Sequence, residues 1–166
     1  MDPVLAQPLQ ITQALVRHDV EFVIIGGVAA IVLGSPLITY DFDICYRRSR
    51  QNAVRLADAL REIQAWPRGF DRSLPFVLDG VTLHNGDMFT FETSLGPFDC
   101  LGSPSGTTGY DDLVRTATTE ELADGLQALV CSLDDLIRMK RAAGRPKDLL
   151  AIEQLIAIKQ VRDGEP

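Results

Sequence analysis

Residues 38–46, Ile-Thr-Tyr-Asp-Phe-Asp-Ile-Cys-Tyr, alternate without a break between large apolar side chains and smaller or polar ones. Period two is the mark of a strand, because successive side chains leave a pleated backbone on opposite faces. Ile38, Tyr40, Phe42, Ile44 and Tyr46 then share one side, and Thr39, Asp41, Asp43 and Cys45 the other. A chain organised around this segment buries one face of a sheet and carries two carboxylates side by side on the other. Two ionised carboxylates at that spacing repel each other, and a cation between them relieves the repulsion. Hard oxygen ligands suit Mg²⁺ or Mn²⁺, which bind through one or two carboxylates together with substrate phosphates. The same spacing also suits the solvated face of an edge strand.

The segment before it sharpens the picture. Phe22-Val23-Ile24-Ile25 is a short, β-branched apolar run that predicts a buried strand, and Gly26-Gly27 ends it. Residues 28–33 predict a short buried helix closed by Gly34-Ser35-Pro36. A glycine pair between strand and helix removes side chains where backbone N–H groups are free to meet a phosphate, although a plain tight turn uses the same residues. Farther along, Asp99 sits inside the apolar run Pro97-Phe98-Asp99-Cys100-Leu101. An acid in the middle of a buried strand needs a partner, either a shared cation or a nearby Arg or Lys.

The rest of the chain reads as alternating helices and strands. Residues 9–19 predict a first helix, and Ser49 caps a second whose apolar stripe is Ala53, Leu56, Ala57, Leu60 and Ile63. Short strands are predicted at 76–78, 81–83, 88–93 and 97–101, followed by a Gly/Ser/Thr-rich loop over 102–109. A short helix near 111–115, a strand at 126–131 and helices at 133–143 and 146–160 complete the pattern. Ser132 with Asp135 forms a capping box, Gly144 is a helix stop, and Pro146 suits a first helical turn. Lys140 lies on the stripe of Leu133, Leu136 and Ile137, and Asp148 on that of Ile152 and Leu155. A Lys and an Asp at the ends of inward stripes reach either a cleft or each other.

Composition excludes several classes. Sixteen Lys+Arg against 23 Asp+Glu leave a net charge of −7, which argues against a broad basic nucleic-acid face. A local basic patch from Arg138, Lys140, Arg141, Arg145 and Lys147 remains open. Cys45, Cys100 and Cys131 form no C-x-x-C pair and read as buried, reduced thiols. His18 and His84 are isolated, and no serine stands in a G-x-S-x-G setting, so zinc and hydrolase-triad chemistry find no support. No apolar run is long enough to span a membrane, so a cytoplasmic chain without a membrane partner is expected.

Taken in order, Val23-Ile24-Ile25-Gly26-Gly27-Val28-Ala29-Ala30, Gly34-Ser35-Pro36, Thr39 and Asp41-Phe42-Asp43 resemble the DNA polymerase β-like nucleotidyltransferase superfamily. Within it the nearest likeness is to small bacterial AbiEii-type proteins of toxin–antitoxin systems. The string from Phe89 to Leu101 is similar to that family's third-carboxylate strand, and Leu136 to Asp148 to its C-terminal Lys/Arg/Asp motif. Two positions depart from the pattern: Leu37 stands where relatives often have Arg, and Gly27 where many have Ser.

The resemblance implies an α+β fold, a mixed β-sheet flanked by helices with a C-terminal helical segment. It implies a nucleotidyltransferase-like core over 1–103 and a linker, strand and helices over 104–166 packed on it. Asp41, Asp43, Asp99 and Lys140 are the implied catalytic residues, the three aspartates being the Mg²⁺ (or Mn²⁺) ligands. Gly26, Gly27, Thr39, Lys140, Arg145 and Asp148 are the implied nucleotide-binding set. The implied reaction moves an NMP from an NTP to a hydroxyl of RNA, in particular tRNA, or of a protein, in a system that includes a cognate toxin or antitoxin partner. The alternative is a non-catalytic nucleotide-binding or protein-interaction module of the same fold.

Overall fold

The computed structural model describes residues 3–164. Its strands are β1 (Phe22–Ile25), β2 (Phe42–Tyr46), β3 (Trp66–Pro67), β4 (Met88–Thr93), β5 (Gly96–Leu101), β6 (Thr118–Ala123) and β7 (Leu126–Val130). They form one mixed sheet in the order β3-β4-β5-β2-β1-β7-β6. Helices α1 (Ala6–Arg17), α2 (Gly26–Val32), α3 (Arg50–Glu62), α4 (Gly80–Asn85), α5 (Tyr110–Leu113), α6 (Leu133–Ala143) and α7 (Asp148–Gly164) flank it. The α+β class, the mixed sheet and the C-terminal helical segment are as the sequence implies.

Strand β2 is central: it runs antiparallel to β1 and parallel to β5, with Asp43 level with Ile25 on one side and with Asp99 on the other. Phe42, Ile44 and Tyr46 are buried on one face, where Phe42 stacks on Phe98 at 5.3 Å between ring centroids. The Tyr46 hydroxyl donates to the Leu83 carbonyl of α4 at 2.7 Å, which satisfies its polar end on that buried face. Helix α3 packs against α1 and α4. Helix α2 packs on β2 and against α6, which in turn packs on α7.

The strand expected over 38–46 begins only at Phe42. Asp41 therefore precedes β2 instead of lying within it. The register explains why. On the β1 side the chain has already turned into α2 after Ile25. On the β5 side the residue before Phe98 is Pro97, which has no N–H to give. Without neighbours the alternating residues 38–41 stay irregular, and Ile38 and Tyr40 are 66% and 85% exposed.

Other boundaries differ for local reasons. Residues 81–83 are helical, within α4, because the Asp79 side chain caps the Thr82 N–H at 2.8 Å; three apolar positions cannot fix a period. Residues 76–78 form no strand; Phe76 joins an aromatic cluster instead. Strand β6 is a polar edge strand that pairs with β7 across Asp124-Gly125, and its Glu120-Glu121 pair hides it from any apolar pattern. Helix α7 starts at Asp148, so Pro146 lies in the turn before it. Helix α1 starts at Ala6, earlier than expected, and α2 begins at Gly26. The Ser49 and Ser132 caps both form, accepting from the N–H groups of Asn52 and Asp135. Cys45, Cys100 and Cys131 are buried free thiols. Among the described residues no helix is long and apolar enough to cross a membrane.

Candidate functional site

All nine residues singled out in the sequence line one cleft of about 570 Å³: Gly26, Gly27, Thr39, Asp41, Asp43, Asp99, Lys140, Arg145 and Asp148. The sheet supplies the carboxylates, and α6 with the turn into α7 supplies the cations. Because Asp43 and Asp99 are register partners on parallel strands, they leave the same face at the same level. Asp41 joins them from the irregular segment that leads into β2.

The glycine pair is required by close approach. Gly26 has φ +68°, and a Cβ there would run into the Asp43 carboxylate. A Cβ on Gly27 would stand 2.6 Å from Thr39 Cβ and Oγ1. The backbone at the end of β1 is thus pressed against Asp43 and Thr39 with no space for side chains. Gly26→Ala is expected to combine left-handed strain with displacement of Asp43, costing about 1–3 kcal/mol of stability. Thermal melting of the variant beside the wild type measures it.

Asp43 has its pKa pushed up to about 7, first by burial, then by the charges of Asp99 and Asp41, with Lys140 pulling the other way. Burial also raises Asp99, opposed by the Arg68 guanidinium. Side-chain exposure of Asp99 is only 14%, and its Oδ1 accepts from Arg68 Nη2 at 3.1 Å. Arg68 also donates to Glu92 through Nε at 3.0 Å. Of the two partners foreseen for Asp99, a shared cation and a nearby arginine or lysine, the arginine is present.

Lys140 and Asp148 reach each other as well as the cleft, with Nζ 3.4 Å from Oδ1. Arg145 adds a second cation, its Nε 2.8 Å from Asp148 Oδ2 and Nη2 3.2 Å from Oδ1. Asp148 is 3% exposed; burial alone would raise its pKa, but the Arg145 hydrogen bonds and the Lys140 charge bring it below the ordinary value. The basic patch of this region is partly neutralised, since Arg138 is held by Asp112 and Asp135, and Lys140 and Arg145 by Asp148.

Arg68 is the site residue the sequence reading missed. Its one local signal is Pro67 just before it, a residue suited to an edge strand. Asp43 and Asp99 offer hard oxygen ligands; burial raises both pKa values first, and the neighbouring carboxylates add a repulsion that a divalent cation would relieve. Among the described residues, however, no group of three or more His, Cys, Asp or Glu side chains is already gathered as a metal ligand set. The three carboxylates are donors of the kind a hard cation takes.

No family model matches the chain, and no curated protein matches it. Among solved structures, the chain is similar to a protein from Thermotoga maritima provisionally described as a nucleotidyltransferase. The TM-score is 0.57 at 15% identity, over 89% of each chain. At that identity the likeness establishes the fold: a nucleotidyltransferase-like mixed sheet flanked by helices.

Proposed function

We propose that the chain is a metal-dependent nucleotidyltransferase that moves an NMP from an NTP to an acceptor hydroxyl. The observation that carries the reading is the meeting of Asp41, Asp43 and Asp99 with Lys140 and Arg145 around one cleft of about 570 Å³. Its size is in the range of small-ligand sites, and its charge pattern suits a magnesium triphosphate.

Asp41, Asp43 and Asp99 would hold Mg²⁺ or Mn²⁺, which supplies charge neutralisation on the triphosphate and on the attacking and leaving oxygens. Lys140 and Arg145 would offset charge on the β- and γ-phosphates, while Asp148 keeps both cations over the cleft. The close backbone at Gly26-Gly27 leaves a side-chain-free floor beside Thr39, where the phosphates can approach. Arg68 would hold Asp99 in position. The acceptor oxygen attacks the α-phosphorus, the bond to the β-phosphate oxygen breaks, and pyrophosphate departs. We place the acceptor among RNA, including tRNA, or protein hydroxyls, and the cellular setting in a toxin–antitoxin pair of the AbiEii type in the cytoplasm. The core over 1–103 would carry the carboxylates, and 104–166 the cations.

A second reading is supported by the Arg68–Asp99 ion pair and by the ungathered carboxylates: a module that binds nucleotide without transferring it. Calorimetry with an NTP analogue bearing an α,β-methylene bridge tests the site itself. Stoichiometric binding that needs Mg²⁺ and is lost in Asp41→Ala/Asp43→Ala is expected. Binding that ignores both the metal and the carboxylates would remove the cleft from consideration.

A further inference from the structure

We infer that the chain carries an acceptor of its own: the hydroxyl of Ser105, in the loop between β5 and α5, is a site of self-nucleotidylation. The inference rests on the nucleotidyltransferase reading for its chemistry and on independent geometry for the hydroxyl.

Residues 102–109, Gly-Ser-Pro-Ser-Gly-Thr-Thr-Gly, leave β5 and form a compact loop whose two ends touch. Gly102 and Gly109 are both buried, and a Cβ on Gly109 would stand 2.7 Å from the Gly102 carbonyl oxygen. The Gly102 N–H donates to the Asp87 carbonyl at 2.6 Å. The Thr108 N–H donates to the Asp112 carboxylate at 3.0 Å, which Arg138 of α6 also holds. Between these fixed ends, the N–H and hydroxyl of Thr107 both donate to the Pro104 carbonyl, at 3.0 and 2.8 Å. They close a tight turn with Ser105 and Gly106 at its centre, and Gly106 has the φ of +79° that a type II turn requires there. The turn reaches across to α6: a Cβ on Gly106 would stand 2.8 Å from Ala142 Cβ and 3.2 Å from the Arg138 carbonyl oxygen. The loop therefore spans from the strand of Asp99 to the helix of Lys140, and Ser105 lines the cleft together with both.

Three hydroxyl side chains line the cleft, and two of them are engaged. Ser35 is buried, and its Oγ accepts from the Leu37 N–H at 3.3 Å. Thr39 Oγ1 accepts from the Asp41 N–H and donates to the Asp41 carbonyl, both at 3.3 Å. Ser105 is exposed, and among the described residues its hydroxyl has no hydrogen-bond partner. It is thus the one cleft hydroxyl that a fixed backbone presents to a bound nucleotide without a competing role in the fold. A hydroxyl held in the same cleft as the triphosphate reacts at an effective concentration that dissolved acceptors do not reach. It also needs no polynucleotide docking surface, in keeping with the net charge of −7. In the step, Ser105 Oγ bonds to the α-phosphorus and the bond from that phosphorus to the bridging β-phosphate oxygen breaks. Pyrophosphate leaves with the electron pair, and the hydroxyl proton passes to water. The product is a phosphodiester that joins Ser105 to the 5′ carbon of the nucleoside.

Intact-mass spectrometry of the full chain, incubated with each of the four NTPs and Mg²⁺ or Mn²⁺ and with no added RNA or protein, tests this. Wild type is expected to gain the mass of one NMP less water, with fragmentation placing it on Ser105. The half-time should not change on dilution, because donor site and acceptor belong to one molecule. Ser105→Ala should cut the gain at least about tenfold, and Ser105→Thr, which keeps a hydroxyl, should restore part of it. Ser103→Ala, on the same loop but outside the cleft lining, should leave it intact. Melting temperatures equal to wild type would show that the loop variants are folded. Modification at another residue, an undiminished gain in Ser105→Ala, or a half-time that lengthens on dilution would each overturn the inference. So would the absence of any gain in a protein that still labels added RNA or protein, and the proposed function would then stand without it. If wild type gains no mass, labels no acceptor and does not bind the NTP analogue, both fall together.

Discussion

Asp43→Asn is expected to abolish nucleotidyl transfer, by at least about 100-fold, while raising the melting temperature of the metal-free protein at pH 8. The activity loss follows from removing the central carboxylate of the proposed cation site. The gain in stability follows from its pKa of about 7, set first by burial and then by Asp99 and Asp41. Between about pH 4 and pH 7 the folded protein keeps a proton on Asp43 that the unfolded chain has released. Its contribution is fully present below the unfolded value, is lost as pH rises towards 7, and stays lost above it. At pH 8 the uncompensated charge costs a few kcal/mol, roughly 2–4, which the amide does not incur. Melting curves in chelator at pH 5 and pH 8 check it. Wild type should lose more stability than the variant over that interval, and Mg²⁺ at pH 8 should restore wild type but not the variant. Equal pH dependence of the two would show that Asp43 titrates normally.

Asp148→Ala has the opposite sign. Asp148 is almost fully buried and binds both Lys140 and Arg145 where α6 hands over to α7. Its removal leaves the Lys140 ammonium, whose side chain is 17% exposed, without its direct partner. A cost of about 2–4 kcal/mol is expected, somewhat below that of a fully buried pair because Arg145 is half exposed. Because the Asp148 pKa is lowered, its contribution is present above the ordinary carboxylate value and is lost as pH falls through the folded one. The difference between wild type and Asp148→Ala should therefore shrink on acidification, whereas that between Asp43→Asn and wild type should grow towards alkaline pH. Chemical denaturation across the two windows separates these effects. A neutral Asp148→Ala at pH 7 would mean that the ion pair contributes nothing to docking α7 on α6.

What could be read in the sequence followed from strong local signals. The run Phe22–Ile25 is a strand because four apolar residues end at a glycine pair, and Ser49 and Ser132 announce their helices by capping chemistry. Seven of the nine cleft residues were legible as types: carboxylates in alternating or apolar segments, glycines at a strand end, and a Lys and an Asp on inward stripes; Thr39 and Arg145 came only with the family resemblance. Register was not legible. Nothing local says that Pro97 ends β2's pairing just short of Asp41, or that Asp43 and Asp99 stand level across parallel strands. Those facts depend on which strands become neighbours. Arg68 was hidden for the same reason, since its value lies in the 3.1 Å approach to an aspartate 31 residues away. Edge strand β6 escaped because charged residues blunt an edge and erase alternation.

Transfer itself is the most direct test of the account. Wild type and Asp41→Ala/Asp43→Ala are incubated with each α-³²P-labelled NTP, Mg²⁺ or Mn²⁺, and total RNA and protein, and label on acid-insoluble product is counted. The account predicts label on an acceptor with wild type and a nucleotide preference, and none with the double variant. Equal labelling by both proteins, or none by wild type with any of the four nucleotides and either metal, would contradict it.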